Sequence, residues 1–111
     1  MFEFTPRQMK TLEELVAAGL RPIAIPPYDS ALCLRRGECA VVLSPDPAGG
    51  LRMLAPPSYI IDGNLSVKLR RGNKDVFVWK KTEIEVTPER SSELEKFRDD
   101  VSRILQNASA Q

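Results

Sequence analysis

The segment Asn64–Val86, which reads NLSVKLRRGNKDVFVWKKTEIEV, decides the fold of this 111-residue chain. Apolar and polar residues alternate over 65–70, which is the two-residue period of a half-buried β-strand. Gly72 then begins a turn of type II′, whose first central residue needs a positive φ. Residues 75–81 are rich in β-branched and aromatic side chains and predict the return strand. Alternation resumes at 82–86 and predicts a further strand.

The turn sets which residues face each other across this hairpin. A two-residue loop that begins at Gly72 places Leu69 opposite Val76. In this register the predicted core face carries Val67, Leu69, Val76 and Val78. The predicted outer face carries Ser66, Lys68, Arg70, Asp75, Phe77 and Trp79. A slip of one residue would exchange the two faces, so the register decides which side chains form the surface.

Basic charge is concentrated in the same hairpin. Residues 68–81 contain six basic side chains against Asp75 alone, whereas the whole chain has a net charge of only +1. Cations beside aromatic rings are typical of a surface that binds phosphates and stacks planar groups, and they also suit an anionic headgroup or an acidic peptide. The candidate binding residues are Lys68, Arg70, Arg71, Lys74, Phe77, Trp79, Arg35 and Arg36. In the alternative interpretation, the charges keep an edge strand from aggregating and a helix covers Phe77 and Trp79.

Arg35 and Arg36 enter this set because the tetrad LRRG occurs twice. It spans 34–37 and 69–72, in each case between two predicted strands. The repeat suggests an internally duplicated hairpin that presents an Arg-Arg pair at each tip. The alternative is coincidence, because glycine and polar residues are common at turns.

Composition indicates one globular domain over 1–111. Hydrophobic residues make up 42% and charged residues 28% of the chain, which are ordinary values for a folded protein. No segment resembles a signal peptide or approaches the roughly 20 apolar residues of a membrane span. We therefore expect a cytoplasmic protein in which Cys33 and Cys39 stay reduced.

The residue inventory argues against catalysis. There is no histidine, which removes the commonest general base and the commonest metal ligand. Cys33 and Cys39 fall on opposite sides of the predicted hairpin around Gly37, which excludes a disulfide, and they are too few for a zinc site. We therefore predict no catalytic, cofactor-binding or metal-binding residue and no enzymatic activity.

Helices are predicted at both ends of the chain. Thr5 and Gln8 form a capping box at the start of a helix over 6–18. A second amphipathic helix is predicted over 88–106, with 106–111 as a frayed tail. The remaining predicted strands lie at 23–25, on either side of Gly37, at 51–55 and at 59–61, with a break at the prolines between the last two.

These elements predict an α+β fold. We expect an N-terminal helix, a mostly antiparallel meander of six to seven short strands that curves into a half-barrel, and a C-terminal helix packed on the sheet. The predicted function is a non-enzymatic binding module that uses hairpin 64–81. Its ligand would be nucleic acid, an anionic headgroup or an acidic protein partner. The alternative is a structural or self-associating protein with Phe77 and Trp79 in its core or in a homo-oligomer interface, and the oligomeric state is left open.

Overall fold

The computed structural model describes residues 4–25, 28, 31–47 and 49–109. Within these ranges the chain forms one α-helix near each end and eight β-strands between them. The elements are α1 (Pro6–Ala17), β1 (Arg21–Ile23), β2 (Leu32–Arg36), β3 (Cys39–Pro45), β4 (Leu51–Ile61), β5 (Asn64–Leu65), β6 (Val67–Arg71), β7 (Lys74–Trp79), β8 (Thr82–Glu85) and α2 (Pro88–Ser109).

The strands form an antiparallel meander, which confirms the predicted α+β fold. Strands β1 to β5 make one sheet and β6 to β8 make another, each in sequence order, and together they curve into a half-barrel. The described residues form eight strands rather than the predicted six to seven. The chain stops pairing with β4 at Ser66, whose side chain and amide both donate to the Tyr59 carbonyl. The next strand, β6, pairs with β7 instead. That change of partner separates β5 from β6.

The register of the β6–β7 hairpin is confirmed. Gly72 has a φ of +61°, and Leu69 lies opposite Val76 as the two-residue turn requires. Lys68 lies opposite Phe77. The position of the turn glycine therefore predicted the strand pairing correctly.

The assignment of the two faces of this hairpin is wrong for Phe77, Val67 and Leu69, and it is correct for Val76. Phe77 is 0% exposed, whereas Val67 and Leu69, predicted to lie in the core, are 56% and 42% exposed. The Phe77 ring stacks on Tyr59 of β4, with 4.7 Å between ring centroids and 4° between ring planes. Aromatic side chains bury more apolar area than valine, so the face that carries Phe77 and Trp79 packs inward. Val76, on the opposite face, is also buried.

Strand β4 runs through Pro56 and Pro57, where the sequence predicts a break, so that prediction is wrong. Relative to β3, strand β4 has one extra residue between Met53 and Ala55 and another between Ala55 and Ser58. These two β-bulges place the prolines where the ladder is already interrupted, so their missing N–H groups cost little. The predicted strands 51–55 and 59–61 are one strand.

The five-stranded sheet is apolar on both faces. One face forms the main core with both helices and the three-stranded sheet. Its buried residues are Leu15, Leu20, Leu34, Cys39, Val41, Leu43, Leu51, Tyr59, Ile61, Phe77, Phe97, Val101 and Ile104. The other face carries a smaller cluster of Ile25, Cys33, Ala40, Val42 and Ile60. Cys33 and Cys39 are both buried thiols outside any disulfide, in different clusters, as their predicted placement on opposite sides of the hairpin implies.

Helix α1 begins as predicted but faces the core slightly differently. Thr5 and Gln8 form the capping box, with reciprocal hydrogen bonds of 3.1 and 2.9 Å. Gln8 is nevertheless buried, because its side-chain amide donates to the Gly50 carbonyl at 3.0 Å. Met9 and Val16, which the apolar pattern places in the core, are exposed.

Helix α2 begins after Thr87, whose side chain accepts a hydrogen bond from the Arg90 amide. It continues to Ser109, three residues beyond the predicted end, because 106–109 contains neither glycine nor proline to stop it. Within the described ranges, neither helix has the length and apolar character that crossing a bilayer requires.

Candidate functional site

The four basic residues of the β6–β7 hairpin lie on two faces of its sheet. The register places Lys68 and Arg70 on the face of Phe77, and Arg71 and Lys74 on the opposite face. All four side chains are exposed. The hairpin therefore carries positive charge on both sides rather than forming one flat basic surface.

Among the described residues, two of these cations have carboxylate partners and two have none. Arg70 lies 3.5 Å from Asp75, and Arg71 lies 2.8 Å from Glu83 on β8. Among the residues that the structure describes, no carboxylate lies within ion-pair distance of Lys68 or Lys74. Exposed ion pairs contribute only about 0–1 kcal/mol, so both arginines can exchange their partners at little cost.

The predicted aromatic platform is not formed by this hairpin. Phe77 stacks within the core and offers no ring face to a ligand. Trp79 is half-buried against the same core, and the Lys80 ammonium lies 5.7 Å from its ring centroid. Phe77 is therefore corrected from a binding residue to a core residue, because its ring is covered by Tyr59.

Arg35 and Arg36 differ from the hairpin cations and from each other. Arg36 donates to Asp100 of α2 at 3.0 Å and to the Ala18 carbonyl at 3.1 Å, and its guanidinium lies 5.5 Å from the Phe97 ring centroid. Arg35 instead donates to the Gly37 carbonyl of its own turn, at 2.6 and 3.0 Å. Arg36 thus joins β2 to both helices, and the repeated LRRG tetrad does not give two equivalent tips.

A groove lies where β4 and β6 diverge. Its volume is about 360 Å³, and it is lined by Tyr28, Ala55, Pro56, Pro57, Ser58, Leu65, Ser66, Val67 and Lys68. The Ser58 and Ser66 hydroxyls lie 3.1 Å apart at its base. Strand β6 forms one wall and is exposed along its whole length. Sequence reasoning missed this groove, because it depends on the path of β4 through its bulges.

A second cluster missed by sequence reasoning joins the sheet to α2. The Tyr59 hydroxyl and the Cys39 thiol both donate to Oε1 of Glu93, at 2.7 and 3.6 Å. Burial, followed by the Glu93 charge, raises the pKa of Cys39 to about 12. Burial and the hydrogen bond to Glu93 raise the pKa of Tyr59 well above its ordinary value. Both groups stay protonated at neutral pH, so Cys39 has little of the thiolate that nucleophilic chemistry needs.

This cluster predicts a loss of stability at alkaline pH. A group whose pKa is higher in the folded than in the unfolded protein stabilises the fold below its unfolded pKa, and that contribution is lost as pH rises through the folded pKa. For Cys39 the window runs from its ordinary value of 9.0 to about 12. We expect the urea midpoint to fall across this window, and to fall less in Glu93→Gln, which removes the charge that helps raise the pKa of Cys39.

Glu95→Gln is the matched control for this measurement, because Glu95 is exposed on the same helix. It should keep the wild-type dependence of the urea midpoint on pH. Equal dependence in the wild type, Glu93→Gln and Glu95→Gln would contradict the role of Glu93.

No protein-family model, curated protein or solved structure matches this chain. Among the described residues, no group of three or more cysteine, aspartate or glutamate side chains is placed to hold a metal ion. The exposed β6–β7 hairpin and the adjoining groove therefore form the candidate functional site.

Proposed function

We propose that the protein is a non-enzymatic interaction module that binds an acidic polypeptide through the β6–β7 hairpin. The observation that carries this proposal is the exposure of Lys68 and Lys74 and their lack of ion pairs among the described residues. An acidic partner would supply the missing charges and would compete for Arg70 and Arg71, which make only surface ion pairs.

The surroundings of these cations favour a polypeptide over nucleic acid. Proteins that bind single strands combine basic residues with exposed rings on which bases stack. In this hairpin Phe77 is buried and Trp79 is half-buried. The residues that alternate with the cations are instead the exposed aliphatic side chains of Val67 and Leu69, which suit the side chains of a protein partner.

The same arrangement argues against a membrane surface. Anionic headgroups attract basic residues that face one plane, and the attraction falls off within a Debye length. Lys68 and Arg70 lie on one face of the sheet and Arg71 and Lys74 lie on the other. A planar bilayer would therefore meet only half of the charge, whereas a polypeptide can follow the edge between the two faces.

We expect Lys68→Glu/Lys74→Glu to weaken binding of a fluorescein-labelled polyglutamate peptide by about tenfold or more, because like charges repel across an interface. The measurement is fluorescence anisotropy at about 50 and about 200 mM salt, where screening should weaken wild-type binding severalfold.

The control is Lys10→Glu/Lys96→Glu, which changes net charge equally at exposed positions on the two helices. It should bind within about twofold of wild type, since it leaves the hairpin intact. Equal losses in both variants would show that only net charge matters and would contradict the proposal. Tighter binding of a single-stranded oligonucleotide or of phosphatidylserine vesicles, abolished by the hairpin variant, would assign the site to those ligands instead.

A further inference from the structure

We infer that the partner binds as an added antiparallel β-strand on the free edge of β6, and that its sequence alternates acidic and apolar residues. This inference rests on the proposed function and specifies how that surface works. Among the described strands, β6 pairs only with β7, and its side chains are exposed throughout. An edge strand of this kind presents unpaired backbone groups, which are the usual template for strand addition.

The hairpin geometry identifies which backbone groups point outward. Across a two-residue turn the flanking pair, Arg71 and Lys74, is a hydrogen-bonded pair, and hydrogen-bonded pairs recur at every second residue. The amides and carbonyls of Val67 and Leu69 therefore form hydrogen bonds with β7. The amides and carbonyls of Lys68 and Arg70 point away from β7, toward the edge on which no described strand pairs with β6. The Ser66 amide agrees with this pattern, because it points the same way and donates to the Tyr59 carbonyl at 2.9 Å.

The side chains of β6 specify the chemistry of the added strand. A residue that exchanges hydrogen bonds with Lys68 or Arg70 places its own side chain on the same face, beside that cation. Glutamate or aspartate at these two positions would pair with the cations. The residue between them lies opposite Leu69 on the other face, where an apolar side chain would cover exposed aliphatic surface.

The groove between β4 and β6 leaves room for such a strand. Its far wall includes Pro56 and Pro57, which have no N–H groups and therefore do not compete for the carbonyls of the incoming chain. Val67 and Lys68 line its near wall, so a strand paired with β6 would extend into the groove at this end. No strand among the described residues covers this edge of β6.

The sheet already holds a strand of the required type at its opposite edge. Strand β8 reads Thr-Glu-Ile-Glu over 82–85, and it pairs with β7 in antiparallel register. Its Glu83 carboxylate lies 2.8 Å from Arg71, so alternating glutamates are compatible with the cations of this sheet. A partner strand on β6 would place its glutamates on the opposite face of the sheet, beside Lys68 and Arg70.

The same features argue against a second copy of the chain as the occupant. Two β6 edges paired with each other would place Lys68 and Arg70 against like charges, which is destabilising. The β8 edge of another copy is already engaged. Its Glu85 carbonyl, on the side away from β7, accepts a hydrogen bond from the Arg90 guanidinium at 2.7 Å. A partner of different sequence is therefore favoured.

The test uses a short capped peptide of alternating glutamate and valine, bound to the full chain. In the predicted pairing the glutamate N–H groups donate to β6, whereas the valine N–H groups face solvent. N-methylation of the glutamates should therefore weaken binding by about tenfold or more, because each lost hydrogen bond leaves a group unpaired. N-methylation of the valines, which adds the same groups at the other edge, should change binding less than about twofold. Slower amide exchange at Lys68 and Arg70, but not at Leu69, should accompany binding.

The outcomes separate this inference from the proposed function. If both methylated peptides bind like the parent, strand addition is overturned while charge-driven binding of an acidic partner stands. If the parent peptide does not bind but polyglutamate does, the strand inference again fails alone. If neither binds, both fail. Self-association of the free protein that is competed by the peptide would identify a second copy as the occupant and would also overturn the inference.

A pair of protein variants tests the same edge from the other side. Lys68→Pro removes the outward amide and the charge, whereas Lys68→Gln removes the charge alone. Proline is tolerated where an edge N–H faces solvent, so the variant should fold. We expect Lys68→Pro to bind the parent peptide about tenfold more weakly than Lys68→Gln. Equal affinities in these two variants, with unchanged circular dichroism, would overturn strand addition.

Discussion

Phe77→Ala should lower the free energy of unfolding by about 3–5 kcal/mol, the usual cost of deleting a large buried aromatic side chain. The Phe77 side chain is 0% exposed and stacks on Tyr59 at 4.7 Å, so its removal leaves a cavity between β4 and β7. Urea unfolding followed by the fluorescence of Trp79, which is the only tryptophan, measures the effect directly.

The control is Val67→Ala on the same hairpin. Val67 is 56% exposed, so its truncation should cost less than about 0.5 kcal/mol. Phe77→Leu, which keeps much of the apolar volume, should lose clearly less stability than Phe77→Ala. If Phe77→Ala and Val67→Ala were equally stable, the assignment of Phe77 to the core would be wrong.

Arg36→Ala should be the second most damaging of these substitutions, with a loss of about 2–3 kcal/mol, because hydrogen bonds to charged groups are worth more than neutral ones. The Arg36 guanidinium links β2 to the Ala18 carbonyl and to Asp100, and it packs against Phe97. Removing it leaves the half-buried Asp100 carboxylate with only Arg103, at 3.4 Å, as an ionic partner among the described residues. Thermal unfolding by circular dichroism measures the loss.

Arg35→Ala is the matched comparison, since Arg35 directly precedes Arg36 in sequence and has the same side chain. Among the described residues, Arg35 bonds only to its own turn and to Glu38, so its loss should cost less than about 0.5 kcal/mol. Equal effects of the two substitutions would contradict the distinct roles that their contacts indicate.

The comparison of these two arginines shows where sequence reasoning stops. The LRRG tetrad correctly predicts a turn at Gly37, as it does at Gly72, because glycine at the first loop position has a local physical cause. The partners of Arg36 are 18 and 64 residues away along the chain, at the C-terminal end of α1 and on α2. No local pattern encodes those contacts, so the two tetrads look alike in sequence and differ in the fold.

The β6–β7 hairpin shows the same division between pairing and burial. Its register follows from the turn and was predictable. Both faces carry apolar side chains, so alternation alone does not decide which face turns inward. Tyr59 decides it, by offering a ring against which Phe77 stacks. The candidate binding surface consequently keeps its lysines and arginines and loses Phe77.

The path of β4 was not predictable from its prolines, and the two bulges that admit them have a further consequence. Met53 and Tyr59, on either side of the bulges, face the main core, whereas Ala55 between them lies opposite Val42 on the reverse face. Each extra residue inverts the up–down order of side chains, and the second inversion cancels the first. Deleting the extra residue of either bulge would remove that bulge together with its inversion, so both ends of the strand would keep their β3 partners and their faces. The bulges are therefore the places where this strand can lose a single residue without exchanging its two faces.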